Sequence, residues 1–251
     1  MPDDFRQTGH GVRFEWGPVG ARQLAPEVSC LVVVDVLSFT TSVSVAVEAG
    51  AAVFPYPWRD GTAAAFAERQ GARLAVGRRA VSRETPWTLS PAALRRAPAT
   101  PRLVLPSPNG SAIAAAADGV TVVAGCLRNG AAVGRWLSGR GYGTADRPVG
   151  VVAAGERWPD GGLRPALEDL LGAGSVIASL RREGRASLSP EAAAAAAAFG
   201  SATDVARDVR ESASGRELAD GGFAEDVSVA TELDACPLVP VLTDGAFAAS
   251  R

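Results

Sequence analysis

Residues 30–41, with the sequence CLVVVDVLSFTT, decide the fold class of this chain. The apolar run 30–34 is continuous and rich in β-branched side chains, which is typical of a strand buried on both faces of a parallel sheet. A short loop follows from Asp35 to Thr40, and a stretch with helical character then runs to Glu48. This strand, loop and helix predict one unit of an α/β protein.

The same pattern occurs three more times along the chain. Each copy has an apolar strand followed by a polar loop and a helix, and the third helix runs towards Leu137 with Asn129 as its predicted N-cap. The predicted strands cover 102–105, 121–124 and 149–154, the loops of the second and fourth units cover 106–110 and 155–162, and their helices cover 111–117 and about 165–171.

Shorter elements complete the predicted sheet. Strands are expected at 52–54, 74–76 and 238–242, the last of them after a helix at 225–234. Alternating strands and helices predict a three-layer α/β/α fold with a mainly parallel or mixed sheet. We expect residues 1–251 to form a single α/β unit. The mostly helical segment 184–224 is either a sub-lobe of it or packs on the sheet.

The net charge and the N-terminal sequence indicate which classes of partner and which location to expect. The formal net charge is -2 without a basic run, whereas a duplex-binding protein usually carries a basic stripe, so we expect no nucleic acid partner. The N-terminus lacks the pattern of a signal peptide, and the alanine run 192–198 is too short to span a bilayer. We therefore expect a cytoplasmic protein without a membrane partner, and a homo-oligomer is left open.

The counts of lysine, histidine and cysteine argue against several kinds of catalytic and metal site. All 25 basic residues are arginine, so a cation that binds phosphate must be arginine or a metal ion. His10 is the one histidine, which argues against histidine-based triads and zinc sites. The three cysteines are widely spaced and argue against a disulfide framework; Cys126 follows a strand, but is expected to fill space rather than to act as a nucleophile.

We expect all the strand-end loops to emerge at the carboxyl edge of the sheet, where ligands bind in open parallel sheets. Polar residues follow the first two long strands there. Asp35 would stand at a strand tip, where a carboxylate can hold a hard cation or attack phosphorus, although it could equally be a turn or cap residue. The hydroxyls of Ser38, Thr40 and Thr41 follow at a helix N-terminus. In the second loop, Asn109-Gly110-Ser111 allows a close backbone approach to a ligand, or is a plain turn and cap.

The fourth unit is acidic. Its loop carries Glu156 and Asp160, and its helix carries the adjacent Glu168 and Asp169 within an apolar segment. A solvated pair on a helix surface is the usual explanation for such neighbours, but the flanking leucines and alanines argue against it here. Neighbours on a helix point about 100° apart, so we expect one carboxylate to face the site and the other to meet solvent or an arginine. Asp226 follows a Gly-Gly turn, and the sequence leaves open whether it belongs to the site or has no role beyond the start of a helix.

These loops together favour a magnesium-assisted phosphoryl site. The expected donors are hard oxygens, which suit Mg²⁺ better than zinc. Magnesium at the edge of a sheet commonly serves phosphoryl transfer, where it neutralises oxygens and orders an in-line attack.

Five segments in this order resemble the 2-phosphosulfolactate phosphatase family, the ComB-like proteins. They are VVVDVLSFTTSVSVAVEAGA (32–51), LVLPSPNGSAIAAA (103–116), AGCLRNGAAV (124–133), GERWPDGGLRPALEDLLGAG (155–174) and SGRELADGGFAEDVSVATELDACPLVPVL (214–242). The resemblance implies a Mg²⁺-dependent acid phosphatase that removes phosphate from 2-phospho-3-sulfolactate, on the route to coenzyme M. Its partner would be a small phosphorylated organic acid.

The resemblance also implies roles for individual residues. Asp35, Glu168 and Asp169 would form the magnesium shell, with Asp35 alternatively the nucleophile and Glu168 a second catalytic carboxylate. The phosphate or substrate would be bound by Ser38, Thr40, Thr41, Asn109, Gly110, Ser111 and Glu156.

Two positions depart from the pattern of this family. Ser38 stands where an arginine is usual, and Pro108 replaces the threonine of a usual Thr-Asn-Gly. Losing an arginine from an anion site removes a bidentate partner for phosphate or sulfonate. An alternative is therefore a protein on the same fold that binds an organic phosphate or regulates, without turnover.

Overall fold

The computed structural model describes residues 3–57, 60–117, 119–184 and 186–250. Within these residues, nine strands form one mixed sheet and two short strands form a separate hairpin. The strands are β1 (Val12–Trp16), β2 (Cys30–Val34), β3 (Ala52–Tyr56), β4 (Arg73–Leu74), β5 (Arg102–Pro106), β6 (Thr121–Gly125), β7 (Val149–Ala153), β8 (Glu156–Arg157), β9 (Leu163–Arg164), β10 (Pro240–Thr243) and β11 (Ala246–Ala249). Their order in the large sheet is β1-β7-β2-β6-β10-β11-β3-β5-β4.

Helices cover both faces of the sheet, which confirms the predicted three-layer α/β/α architecture. The helices are α1 (Gly17–Leu24), α2 (Phe39–Glu48), α3 (Thr62–Arg69), α4 (Pro91–Arg96), α5 (Gly110–Ala116), α6 (Gly130–Gly139), α7 (Leu167–Arg182), α8 (Pro190–Ser201), α9 (Val205–Glu211), α10 (Ala213–Leu218) and α11 (Ala224–Ala230). No helix in the described part of the chain combines the length and apolarity needed to cross a membrane.

Strand β2 lies between β7 and β6 and is buried along its whole length. Successive side chains of a strand point to opposite faces. Accordingly, Val32 and Val34 belong to the core shared with α6, α7 and α8, whereas Leu31 and Val33 belong to the core shared with α1, α2 and α5. The continuous apolar run that predicted this strand therefore reflects two separate cores.

The sheet has two parallel halves of opposite direction. β1, β7, β2 and β6 run parallel, as do β3, β5 and β4. The hairpin of β10 and β11 joins the halves through antiparallel pairings on both sides, which reverses the direction. The expectation that all the strand-end loops emerge at one edge of a parallel sheet was therefore wrong, because it did not foresee this hairpin.

Sheet twist brings the reversed halves together. Adjacent strands rotate by roughly 20–25°, so the five steps from β2 to β5 accumulate roughly 100–125°. Such a rotation turns the carboxyl end of β5 back towards that of β2. Helix α5, which follows β5, accordingly packs on β2 and on α1 and α2.

The predicted units are confirmed, and three predicted elements differ in extent. Helix α7 runs 16 residues, far beyond the predicted end at Leu171, because its apolar face stays buried to Leu180. The strand predicted at 74–76 is shorter and the one at 238–242 begins later, whereas β1 and the partner strand β11 were not foreseen. The segment 184–224, apart from residue 185, is mostly helical as predicted, and its helix α8 packs on α7 and β1.

Close packing of α7 on α8 depends on a glycine, which gives a test of this layer. A Cβ on Gly174 would lie 2.2 Å from the carbonyl oxygen of Ala195, so Gly174→Ala should force the helices apart. We expect the free energy of unfolding to fall by about 1–3 kcal/mol, measured by urea denaturation.

The matched control is Gly200→Ala in α8, where a Cβ would meet nothing within 4 Å. There the helix propensity of alanine should leave the stability unchanged or raise it by up to about 1 kcal/mol. Equal effects of the two substitutions would contradict the described packing of α7 on α8.

Candidate functional site

A cavity of about 310 Å³ lies among loops that come from both halves of the sheet. The loops after β2, β5 and β7, the segment after β4, and helix α10 all contribute to its walls. Its lining residues are Asp35, Leu37, Ser38, Arg78, Leu89, Ser107, Pro108, Asn109, Glu156, Ser214, Glu217 and Leu218. Four of the residues selected from sequence, Asp35, Ser38, Asn109 and Glu156, therefore share one cavity.

Asp35 is buried at the tip of β2 and connects two loops. Its Oδ1 accepts a hydrogen bond of 3.0 Å from the Phe39 N–H, and its Oδ2 accepts one of 2.9 Å from the Gly110 N–H. Burial raises the pKa of Asp35, the two backbone N–H groups lower it, and the nearby Glu168 carboxylate raises it. The predicted Asn-Gly turn therefore brings its backbone to a carboxylate of the protein.

Gly110 is required by this contact. A Cβ there would lie 2.3 Å from the Phe39 ring and 2.8 Å from Asp35 Oδ2. The side chain of the preceding Asn109 does not cap α5, and instead donates from Nδ2 to Glu156 Oε2 at 3.1 Å. The second and fourth units are thus linked across the cavity.

Asp169 is buried in the first turn of α7 and connects two more loops. Its Oδ1 accepts from the Val36 N–H at 2.7 Å, and its Oδ2 accepts from the Gly155 N–H at 2.8 Å. Burial and the neighbouring Glu168 and Asp35 carboxylates raise the pKa of Asp169 well above its ordinary value. Asp169 does not line the cavity, and its contacts show that it holds the loops after β2 and β7 together.

Glu168 is the buried neighbour of Asp169 and faces the helical segment. Its Oε2 accepts a hydrogen bond of 3.2 Å from the Ser212 hydroxyl. Glu168 also acts electrostatically on Asp35, Asp169 and Glu156. Both adjacent carboxylates are almost fully buried, so the expectation that one of them meets solvent or an arginine is not met.

Glu156 is the cavity carboxylate whose pKa is close to neutrality. Burial, followed by the charges of Asp35 and Glu168, raises its pKa to about 7, against the lowering effects of Arg164 and Asn109. It can therefore exchange a proton near neutral pH. Asp160, from the same loop, is exposed and only accepts from the Gly162 N–H of its own turn.

Three predicted phosphate-binding hydroxyls are used by the backbone. Thr40 Oγ1 donates to the Asp35 carbonyl and accepts from the Asp35 N–H, Thr41 Oγ1 donates to the Val36 carbonyl, and Ser111 Oγ donates to the Leu105 carbonyl. None of the three is among the residues that line the cavity. Their evident contribution is to the shape of the loops that carry Asp35 and Asn109.

Arg78 is a cavity residue that sequence reasoning missed. Its Nη2 donates to Ser38 Oγ at 2.6 Å, and its Nε donates to Asp226 Oδ2 at 3.0 Å. The sequence predicted that Ser38 removes an arginine from the anion site, and in the structure an arginine from the segment after β4 reaches the same loop. The available signal was the Gly77-Arg78-Arg79 sequence directly after a predicted strand.

Two residues outside the cavity have structural roles. Burial raises the pKa of the Cys126 thiol to about 11, which keeps it protonated and agrees with its expected space-filling role. Asn129 occupies the N-cap position of α6 as predicted, but its side chain bonds the Cys126 N–H and the Ala124 carbonyl instead of capping the helix.

The magnesium assignment stays a prediction. Asp35, Glu168 and Asp169 interact electrostatically, which places them in one neighbourhood. Among the residues that the structure describes, however, no group of three or more His, Cys, Asp or Glu is arranged to hold a metal ion.

The raised pKa of Glu156 predicts how stability depends on pH in protein treated with EDTA. A carboxyl whose folded pKa is raised contributes stability at low pH, and that contribution is lost as pH rises from 4.5 to about 7. We expect Tm to fall between pH 5 and pH 8, and to fall less in Glu156→Gln. Glu183→Gln, at an exposed carboxylate, should keep the wild-type difference. Identical pH dependence in Glu156→Gln and the wild type would contradict the interpretation.

Comparison with known proteins identifies the family of this chain. A search of curated proteins finds no match to the chain. A family model described as 2-phosphosulpholactate phosphatase matches residues 20–245, a segment that includes every residue lining the cavity. The family is named for a phosphatase, an enzyme that hydrolyses phosphoric monoesters. The chain therefore belongs to the 2-phosphosulpholactate phosphatase family.

Proposed function

We propose that this protein is a Mg²⁺-dependent phosphatase that hydrolyses the phosphate ester of a small organic acid. The substrate that the family description favours is 2-phospho-3-sulfolactate, which would give 3-sulfolactate and phosphate. The observation that carries the proposal is that two carboxylates, Asp35 and Glu156, line the same cavity as the guanidinium of Arg78. Carboxylates serve nucleophilic and proton-transfer chemistry, and a guanidinium attracts an anionic substrate.

Glu156 is suited to the proton transfer of this reaction. In hydrolysis, an oxygen derived from water becomes bound to phosphorus, the bond to the alcohol oxygen breaks, and the alcohol leaves with a proton. A group with a pKa of about 7 can supply that proton or accept one from water near neutral pH. The hydrogen bond from Asn109 holds Glu156 at the cavity wall. The proposal holds whether Asp35 or a water molecule attacks phosphorus.

The donor set at the cavity fits magnesium. The nearby ionisable donors are carboxylate oxygens, and Mg²⁺ is usually bound through one or two carboxylates together with waters and substrate phosphate oxygens, rather than by a cage of protein ligands. Asp35 and Glu168 are the proposed ligands. Asp169 is the third residue of the expected shell, and, like those of Asp35, its two oxygens also accept backbone hydrogen bonds. A bound ion would neutralise phosphate oxygens and offset the repulsion among these carboxylates.

Polar groups at the cavity wall support phosphate binding. Ser38 and Asn109 line the cavity directly, while Gly110 contributes its N–H to Asp35. Thr40, Thr41 and Ser111 would act on the phosphate only through the loop conformations they stabilise.

Phosphate release tests the proposed activity. The wild type should release phosphate from a panel of small phosphorylated acids with Mg²⁺ and not with EDTA, and Asp35→Asn should lower the rate by about 100-fold or more. Asp146→Asn, at an exposed aspartate, should keep the wild-type rate. Saturable binding of the same compounds by folded protein, without release at any divalent metal, would overturn the enzyme and favour the non-catalytic binding protein.

Thermal unfolding tests the metal. Because a ligand that binds only the folded state stabilises it, Mg²⁺ should raise Tm in the wild type and in Asp146→Asn, and should raise it less in Asp35→Asn and Glu168→Gln. Equal shifts in all four proteins would place the ion away from these carboxylates.

A further inference from the structure

Arg78 is held rigidly at the wall of the cavity. Its guanidinium bonds Ser38 and Asp226 and lies over the Phe223 ring at 5.6 Å, and its side chain is 18% exposed. Among the described residues that line the cavity, Arg78 is the sole cation. The other charged groups there are Asp35, Glu156 and Glu217.

Part of the guanidinium is left for a ligand. An arginine has five N–H donors, and the bond to Asp226 uses Nε while the bond to Ser38 uses one N–H of Nη2. Nη1 makes no hydrogen bond to another residue of the described chain. Nη1 and the second N–H of Nη2 are therefore left to donate hydrogen bonds to a carboxylate, sulfonate or phosphate.

A second cavity adjoins the first one at Arg78. It has a volume of about 490 Å³ and shares Arg78 and Leu89 with the cavity that holds Asp35 and Glu156. Its other lining residues include the apolar Leu74, Val76 and Phe223, with Arg79 and Asp60 as the further charged groups. Arg78 therefore stands between the carboxylate end of the site and a larger, partly apolar space.

We propose that Arg78 binds the acid group of the substrate, and so selects phosphate esters that carry a second anion. This inference rests on the proposed function, because it takes the phosphate to lie at Asp35 and Glu156. A molecule anchored there directs its remaining part towards Arg78 and the adjoining cavity. The acid group then accepts hydrogen bonds from the donors that Nη1 and Nη2 have left, and a substituent beyond it enters the 490 Å³ space.

Asp226 is the positioning residue for this arginine. It is 1% exposed, and it accepts hydrogen bonds from the Ser90 hydroxyl and from the Ala92 N–H at 3.2 Å. These partners fix the carboxylate, and the carboxylate in turn fixes Nε of Arg78. The sequence left open whether Asp226 only starts α11, and its contacts connect it to the site.

Two substrates, one with and one without a second anionic group, distinguish binding of the acid group by Arg78 from a general effect of Arg78 on activity. We would compare 2-phospholactate, which carries a carboxylate, with 4-nitrophenyl phosphate, which carries none. Arg78→Gln should raise KM for 2-phospholactate by about 10- to 100-fold and should change KM for the aryl phosphate by less than about twofold. The KM of Arg78→Lys for 2-phospholactate should lie between the values for the wild type and Arg78→Gln, because lysine keeps the positive charge but cannot donate two parallel hydrogen bonds. Arg83→Gln, an exposed arginine outside both cavities, is the matched control and should behave as wild type.

The outcomes separate this inference from the proposed function. Arg78→Gln leaves Asp226 buried without its cation, so the double variant Arg78→Gln/Asp226→Asn is tested as well and should show the same substrate dependence. Equal losses on both substrates in the double variant would overturn the inference and place Arg78 at the phosphate. If the wild type hydrolyses neither compound and no other phosphorylated acid of the panel, the proposed function fails. Calorimetric binding of 2-phospholactate against ethyl phosphate, in wild type and Arg78→Gln, then still tests Arg78. A preference for 2-phospholactate that survives Arg78→Gln would overturn its role.

Discussion

The carboxyl ends of the strands are held together by buried carboxylates that accept backbone hydrogen bonds. Asp35 joins the loop after β2 to the loop after β5, and Asp169 joins the loop after β2 to the loop after β7. A buried carboxylate is costly unless it is hydrogen-bonded, and a backbone N–H in a loop needs a partner equally. Each aspartate satisfies two such groups, so the loop after β2 is fixed from both sides.

This arrangement concentrates negative charge where the cavity forms. Asp35, Asp169 and Glu168 are almost fully buried, and Glu156 lies close enough for the charges of Asp35 and Glu168 to raise its pKa. Mutual repulsion is the physical cost of placing these groups together, and it is also what moves a carboxyl towards neutral pKa. The same repulsion favours binding of a cation. The stability of these loops and the proposed chemistry of the cavity therefore depend on the same carboxylates.

The reversed half of the sheet, β3, β5 and β4, contributes the arginine and the asparagine that line the cavity. β2 and β7 bring carboxylates to the cavity, whereas β4 and β5 bring Arg78 and Asn109 from strands that run in the opposite direction. The hairpin of β10 and β11 makes this combination available, since it joins the halves and lets the twist rotate one against the other. A fully parallel sheet would place its strand-end loops along a single edge.

The sequence by itself determined the four strand–loop–helix units and the position of Asp35, because apolar runs and the residues that end them are local features. It also indicated one inward carboxylate in α7, since leucines and alanines surround the pair. Tertiary structure alone decided the direction of β3, β4 and β5, which depends on a hairpin more than a hundred residues away in the chain. It likewise decided that Thr40, Thr41 and Ser111 bond the backbone and that Arg78 reaches Ser38. A polar residue at a strand end has several partners within reach, and the packing of distant segments determines which one it meets.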